Sequence, residues 1–116
     1  MKSKIYLSLS LTLALLSSFG ISAQSSTTAE QIAERIAQKM KDSLNLTSQQ
    51  KTGVYNVNMY IANQKALARQ QYVGSDSLTR FIQQAEGKRD SLYRTVIPDS
   101  LYQIYRQKKR TLISAN

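Results

Sequence analysis

The sequence predicts an all-α fold class, a small four-helix protein built on a long antiparallel helical hairpin. Apolar residues recur at helical spacing in four separate stretches. Residues that start or stop helices lie between these stretches, among them Thr-x-x-Gln sequences, a Gly and the single Pro. The two central stretches, 48–73 and 77–96, are joined by so few residues that they must form an antiparallel hairpin.

The first 23 residues have the features of a secretory signal peptide. Lys2 and Lys4 give a basic start, residues 5–19 are mostly apolar, and a small-residue cleavage sequence ends at Ala23. We expect cleavage after Ala23 and export to the periplasm. An uncleaved membrane anchor is the alternative, but the apolar run is shorter than the roughly 20 residues that span a bilayer.

The expected mature chain is one small basic domain. Residues 24–29 form a predicted polar tether, and residues 30–116 form a single helical domain. Removing the signal peptide takes away two lysines and no acids, which leaves 14 basic and 7 acidic side chains and a net charge of +7. With no cysteine, the chain cannot reinforce a limited core with disulfides. Helix pairing or a homodimer must therefore supply stability.

The residue types present argue against an enzyme. The chain has no His and no Cys, which removes the commonest general base, the thiol nucleophile and the usual transition-metal ligands. A carboxylate pair or a Ser–Lys dyad stays open, but no motif for a nucleophilic serine or a phosphate-binding loop is present. We predict no catalytic residue, no metal and no cofactor, and export makes nucleic acid a poor candidate as partner.

The first two helices are predicted from capping sequences and periodicity. The threonine pair 27–28, followed by Glu and Gln three residues on, can start a helix that runs to about Leu44. Its apolar face repeats every four residues: Ile32, Ile36, Met40 and Leu44. Thr47 and Gln50 form a second capping box, which opens a long helix that reaches Val73.

The last two helices are bounded by turn residues. Gly74 suits the position just after the second helix, and Ser75 or Asp76 suits the N-cap of the third helix, 77–96. Pro98 fits the first helical position of the fourth helix. Three residues mark the apolar side of that helix: Leu101, Tyr105 and Leu112.

Two apolar stripes run along the second helix. One stripe is expected to pack on the third helix and contains Val54, Val57, Ile61, Ala68 and Tyr72. The other contains Tyr55, Met59, Ala62, Ala66 and Val73. Either the first and fourth helices cover this second stripe, or it forms a dimer seam or a client-binding surface.

The second helix also has a basic surface, because no acidic residue lies between Asp42 and Asp76. Arg89 falls inside the apolar stripe of the third helix, where its stem can be buried while its head reaches the rim. Solvated surface charge accounts for most of this pattern. A basic and apolar surface also attracts anionic, partly unfolded chains or an anionic envelope surface. The residues expected to bind a partner are Tyr55, Met59, Lys65, Arg69 and Arg89.

The sequence Leu46-Thr47-Ser48-Gln49-Gln50 follows the pattern Leu-Thr-x-x-Gln at the start of a long helix. The chain resembles the LTxxQ family of periplasmic proteins, which includes the Spy and CpxP chaperones and stress adaptors. The family motif residues here are Leu46, Thr47 and Gln50. In that family a second copy opens the last helix, and residues 96–100 stand in its place, with Ile for Thr and Ser for Gln.

The resemblance implies a curved antiparallel dimer whose concave face binds unfolded proteins. It leads to the hypothesis of an ATP-independent, chaperone-like or stress-adaptor protein of the periplasm, with partly folded envelope proteins as partners. The alternative is an exported structural or interaction protein that binds one envelope partner, a glycan or a lipid. Promiscuity distinguishes the two hypotheses.

All four aspartates are followed by Ser-Leu. Helix starts account for Asp76 and Asp99, but Asp42 and Asp90 are not at predicted helix starts. The sequence Asp-Ser followed by an apolar residue resembles an acceptor motif for O-glycosylation of exported proteins in some Gram-negative bacteria. Helix-boundary chemistry and chance are the alternative. The acceptors would be Ser43, Ser77, Ser91 and Ser100, with Ser43 and Ser77 favoured because they lie near turns.

Overall fold

The computed structural model describes residues 28–114, which form four helices and no strand. They are α1 (Thr28–Leu44), α2 (Ser48–Gln71), α3 (Ser77–Val96) and α4 (Asp99–Ile113). The all-α prediction is confirmed. The predicted signal peptide lies outside the described residues, and α1 begins at Thr28, inside the predicted tether of residues 24–29. Within residues 28–114, no helix combines the length and the apolar character needed to cross a membrane.

The turn between α1 and α2 uses the predicted capping chemistry. Asn45 takes a left-handed conformation with φ of 54°, which lets the Leu46 N–H donate to the Lys41 carbonyl at 3.2 Å. The Gln50 N–H donates to Thr47 Oγ1 at 3.1 Å, and the Thr47 N–H donates to Gln50 Oε1 at 3.0 Å. This capping box orients the chain so that Leu46 is buried in the core.

Helix α2 is the centre of the fold, with α1 and α3 packed along it. Both neighbours run antiparallel to α2. On α3, Val96 lies next to Gly53 and Phe81 next to Tyr72. On α1, Gln38 pairs with Lys51 and Ala33 with Asn58. Helix α4 packs on α1 and α3. One core joins all four helices, and its largest fully buried side chains are Tyr93, Tyr105, Met40, Ile61 and Val54.

The two predicted stripes of α2 have different surroundings. The first is largely buried, including Val54 and Ile61. The second is covered only in part, because α1 is shorter than α2 and α4 packs elsewhere. Tyr55 is half-buried against the core, whereas Val73 is 79% exposed. The expectation that α1 and α4 together cover the second stripe is therefore only half right.

The connection between α2 and α3 has no core of its own. Helix α2 ends at Gln71, two residues before the predicted end, and Gly74 has a left-handed φ of 72°. The Ser77 N–H donates to Ser75 Oγ at 3.1 Å, so Ser75 and not Asp76 supplies the side-chain cap. No residue in the range 69–84 is buried. We call this two-helix end, residues 69–84, the hairpin arm.

The connection between α3 and α4 repeats the geometry that precedes α2. Ile97 is buried, as Leu46 is, and the next residue in each case has extended backbone before the helix. Pro98 is the N-cap of α4, not its first helical residue, and its carbonyl accepts from the Tyr102 N–H at 2.9 Å. Pro98 therefore corresponds to Thr47, although it contributes no side-chain hydrogen bond.

Candidate functional site

A buried polar network joins α1, α2 and α3. Asn58, on α2, donates through Nδ2 to the Ala33 carbonyl of α1 at 3.0 Å. Its Oδ1 accepts from Arg89 Nη1 at 2.9 Å and from the Tyr93 hydroxyl. Arg89 Nη1 also donates to the Tyr93 hydroxyl at 3.2 Å. Both polar atoms of the Asn58 amide thus have partners, and no buried side-chain polar atom of residues 28–114 lacks one.

Glu86 extends the network to the surface. Its carboxylate accepts from Arg89 Nε at 3.0 Å and from Nη2 at 3.2 Å, and it also pairs with Lys65. Burial lowers the pKa of Lys65, and the nearby charges of Arg89 and Arg69 lower it further. Glu86 thus pairs with two cations, and the third, Arg69, lies close enough to Lys65 to affect its pKa.

A pocket opens between the first half of α1 and the middle of α2, beside these cations. Its volume is about 330 Å³. Helix α1 contributes mainly Ile and Ala side chains, while the cations come from α2 and α3. We call it the α1–α2 pocket; it is lined by Thr28, Ala29, Ile32, Ala33, Ile36, Asn58, Ile61, Ala62, Lys65, Ala66, Arg69 and Arg89.

A groove follows the other side of the hairpin, between α2 and α3. Its two sections have volumes of about 250 and 390 Å³. Their lining residues on α2 recur three or four positions apart, so both sections lie on one face of that helix. Tyr60 is 42% exposed and Leu67 is 48% exposed, although both are large and apolar. We call this the hairpin groove; its apolar lining is Val57, Tyr60, Leu67, Ala68, Tyr72, Phe81, Ala85, Leu92 and Val96.

The five residues predicted to bind a partner do not form one surface. Lys65, Arg69 and Arg89 come together at the α1–α2 pocket. Tyr55 instead lies beside Glu34 and Arg35 of α1, and Met59 is partly exposed. The Arg89 side chain is only 5% exposed, so its head does not reach the rim as predicted. Its guanidinium is held inside because Asn58, Tyr93 and Glu86 satisfy its donors.

Sequence reasoning missed Asn58 and Tyr93 as partners of Arg89. A detectable signal was present: Asn58 interrupts the apolar stripe of α2, just as Arg89 interrupts that of α3. Two polar interruptions on facing stripes indicate a buried pair, because isolated buried polar groups are costly.

A second polar cluster fixes α4 against α3. Asp90 accepts from the Tyr105 hydroxyl at 2.8 Å and pairs with Lys109 Nζ at 2.9 Å. Partial burial acts to raise the pKa of Asp90, but the hydrogen bonds from Lys109 and Tyr105 outweigh it and hold the pKa below its usual value. Burial, together with Asp90, raises the pKa of the Tyr105 hydroxyl, so this group remains a donor.

In three of the four Asp-Ser-Leu sequences the Leu lies in or against the core while the Ser is exposed; the exception is Ser77–Leu78, where both residues are partly exposed. Ser43, Ser91 and Ser100 are exposed and Ser77 is partly exposed. Ser91 Oγ donates to the Lys88 carbonyl at 3.0 Å. Acceptor accessibility is thus compatible with modification at Ser43 and Ser100 without unfolding. Within residues 28–114, acidic side chains form no cluster of three that could hold a metal ion.

Comparisons with protein families, with curated proteins and with solved structures find no match to this chain. A function must therefore be inferred from the chemistry of the α1–α2 pocket and of the hairpin groove.

Proposed function

We propose that this protein is a periplasmic, ATP-independent, chaperone-like or envelope-stress adaptor protein that binds partly unfolded proteins. The observation that supports the proposal is the hairpin groove, a surface that α1 and α4 leave uncovered in the described part of the chain and that exposes apolar side chains among polar ones such as Gln64, Gln71 and Gln84. Exposed apolar side chains in a monomer often mark binding surfaces. The predicted signal peptide and the resemblance to the LTxxQ family point to the same role.

The lining of the groove suits clients that have no fixed shape. Tyr60 and Tyr72 are amphipathic, and Leu67 is accessible. Lys88 lies along the rim and adds positive charge. A partly unfolded chain could place apolar side chains in the groove and keep its acidic residues near this cation, so both apolar burial and charge would contribute to binding.

A homodimer is part of the proposal. Two copies placed side by side would join two hairpin grooves into a larger surface, and a single groove of this size is small for a protein client. Light scattering of the mature protein tests this element: a mass twice that of one chain supports it, and the mass of one chain contradicts it.

The experiment is suppression of aggregation of several unrelated proteins as they refold from denaturant. We expect the wild-type protein to act at near-stoichiometric ratios and to weaken as salt is raised. The double variant Tyr60→Ser/Leu67→Ser removes two exposed apolar groups and should lose most of the effect. Ile104→Ser is the matched control, because Ile104 is 37% exposed but does not line the groove.

Two outcomes would contradict the proposal. One is no suppression for any of the clients. The other is equal suppression by the wild type and the groove double variant. Binding of a single envelope partner, with no effect on unrelated clients, would instead support the alternative of a dedicated interaction protein.

A further inference from the structure

We infer that the α1–α2 pocket binds a carboxylate carried on an apolar chain, with a medium-chain fatty acid as its ligand. This site is separate from the hairpin groove, since it lies on the α1 side of α2 and shares none of the groove's lining residues. The inference goes beyond the proposed function and does not depend on it.

The shape of the pocket suits a short acyl chain. Its volume of about 330 Å³ is at the lower end of small-molecule sites, which span roughly 300–1,000 Å³. At about 30 Å³ for a group the size of a water molecule, that volume accommodates on the order of ten methylene-sized groups. Ile32 and Ile36 of α1 and Ala62 and Ala66 of α2 supply apolar contacts for such a chain.

The charges of the pocket select an anionic head group. Lys65, Arg69 and Arg89 all line it, and among residues 28–114 Glu86 is the one carboxylate that pairs with Lys65 and Arg89. Within the described residues, Arg69 forms no ion pair with Glu86 or any other acid. Burial and then the charges of Arg89 and Arg69 lower the pKa of Lys65, and a carboxylate placed near Arg69 and Lys65 would offset those charges.

The hydrogen-bonding groups of the pocket favour a head group that only accepts. Lys65 and Arg69 offer N–H donors. Asn58 has no free acceptor, because its Oδ1 already accepts from Arg89 and Tyr93. A peptide segment would bring N–H groups that need acceptors, and apart from the exposed Thr28 the lining side chains offer none. A fatty-acid carboxylate avoids this cost.

The test is titration of the mature protein, purified from its host, with three probes. Decanoate carries both features, decanamide keeps the chain without the charge, and acetate keeps the charge without the chain. Calorimetry gives the affinities, and amide chemical shifts in NMR spectra locate the site. We expect decanoate to bind roughly tenfold or more tightly than decanamide, with the largest shifts at Ala29, Ala62 and Ala66, and acetate to bind too weakly to measure.

Two variants test the residues. Arg69→Gln should weaken decanoate binding roughly tenfold, whereas Arg110→Gln removes an equal charge from an exposed position on α4 and should leave binding unchanged. Ala66→Leu fills the pocket without changing its charge and should abolish binding while helicity is kept, because Ala66 is exposed.

The inference is overturned if decanamide binds as tightly as decanoate, if Arg69→Gln binds like the wild type, or if no probe binds at millimolar concentration. Shift changes confined to the hairpin groove would also overturn it. The groove variant Tyr60→Ser/Leu67→Ser should bind decanoate normally, so a failure of client binding and a failure of this site can be told apart.

Discussion

Gly53 of α2 lies in close contact with Val96 of α3. A Cβ built on Gly53 would lie 2.8 Å from the Val96 Cβ, a separation that real side chains essentially never show. The contact lies near the end of α3, one residue before the buried Ile97. The missing side chain at Gly53 therefore sets how near the two helices come.

Gly53→Ala should destabilise the protein although alanine favours helix. The gain in helix propensity is about 1 kcal/mol, and forcing the helices apart costs about 1–3 kcal/mol. Gly87→Ala in α3 is the matched control, because a Cβ there meets nothing within 4 Å, so it should stabilise by about 0.5–1 kcal/mol. Urea unfolding measures both. Equal and positive effects at the two glycines would show that the close approach has no energetic weight.

Arg89→Met should lower the free energy of unfolding by about 2 kcal/mol, because it leaves Asn58 with an unfilled acceptor position and Glu86 without its bidentate partner. Arg110→Met, at an exposed position on α4, should change it by less than about 0.5 kcal/mol. Thermal and urea unfolding provide the comparison. If Arg89→Met is as stable as the wild type, the network contributes specificity of packing but no net stability.

Acid should weaken the Asp90 cluster. The folded-state pKa of Asp90 is below its unfolded value, so the unfolded state binds more protons in the acid range. The stabilisation is complete above the unfolded pKa of about 4 and is lost as pH falls through the lower folded pKa. Asp90→Asn should be about 1 kcal/mol less stable than the wild type at pH 7. The difference should vanish near the folded pKa.

Unfolding curves measured from pH 7 down to pH 2 check this expectation. Asp76→Asn is the control, since the Asp76 carboxylate makes no capping hydrogen bond. Its pH profile should run parallel to that of the wild type. A gap between wild type and Asp90→Asn that stays constant with pH would contradict the assigned role of the carboxylate.

O-glycosylation at Asp-Ser-Leu sites can be decided by the intact mass of protein purified from its native host. Because Ser43 is exposed beside Asp42, we expect mass above that of the mature chain, and a Ser43→Ala variant should lose part of it. Ser26→Ala, at a serine that does not follow an aspartate, is the control and should keep the full added mass. A mass equal to that of residues 24–116 would leave helix-boundary chemistry as the explanation of the repeats.

The helices could be predicted from the sequence because their ends depend on local chemistry. The capping box of Thr47 and Gln50 forms as predicted. Gly74 has the predicted left-handed conformation, and α2 ends two residues before its predicted end. The positions of the groove and the pocket depend on which faces of α2 are covered by α1 and α3. Local sequence patterns do not determine this. The apolar stripe through Tyr60 and Leu67 is diluted by Asn56 and Gln64, so its exposure becomes visible only in three dimensions.

Arg89 illustrates the same limit at the level of one side chain. A cation in an apolar stripe has two outcomes: the head reaches solvent, or it finds buried partners. The outcome depends on Asn58 of another helix, 31 residues away in sequence. The sequence predicts that Arg89 contacts a partner directly. Because it is buried, it instead holds α2 and α3 together beneath the α1–α2 pocket.

The hairpin arm has a consequence for motion. Residues 69–84 include no buried side chain, and the stacked rings of Tyr72 and Phe81, with centroids 4.1 Å apart, connect the two helices there. Backbone amides there should exchange with solvent deuterium through local opening, well before the amides around Val54 and Tyr93, which exchange only when the whole domain opens. We therefore expect the arm to open locally while the base around Val54 and Tyr93 stays folded. The end of the hairpin groove lined by Tyr72 and Phe81 should thus be more adaptable than the rest of the domain.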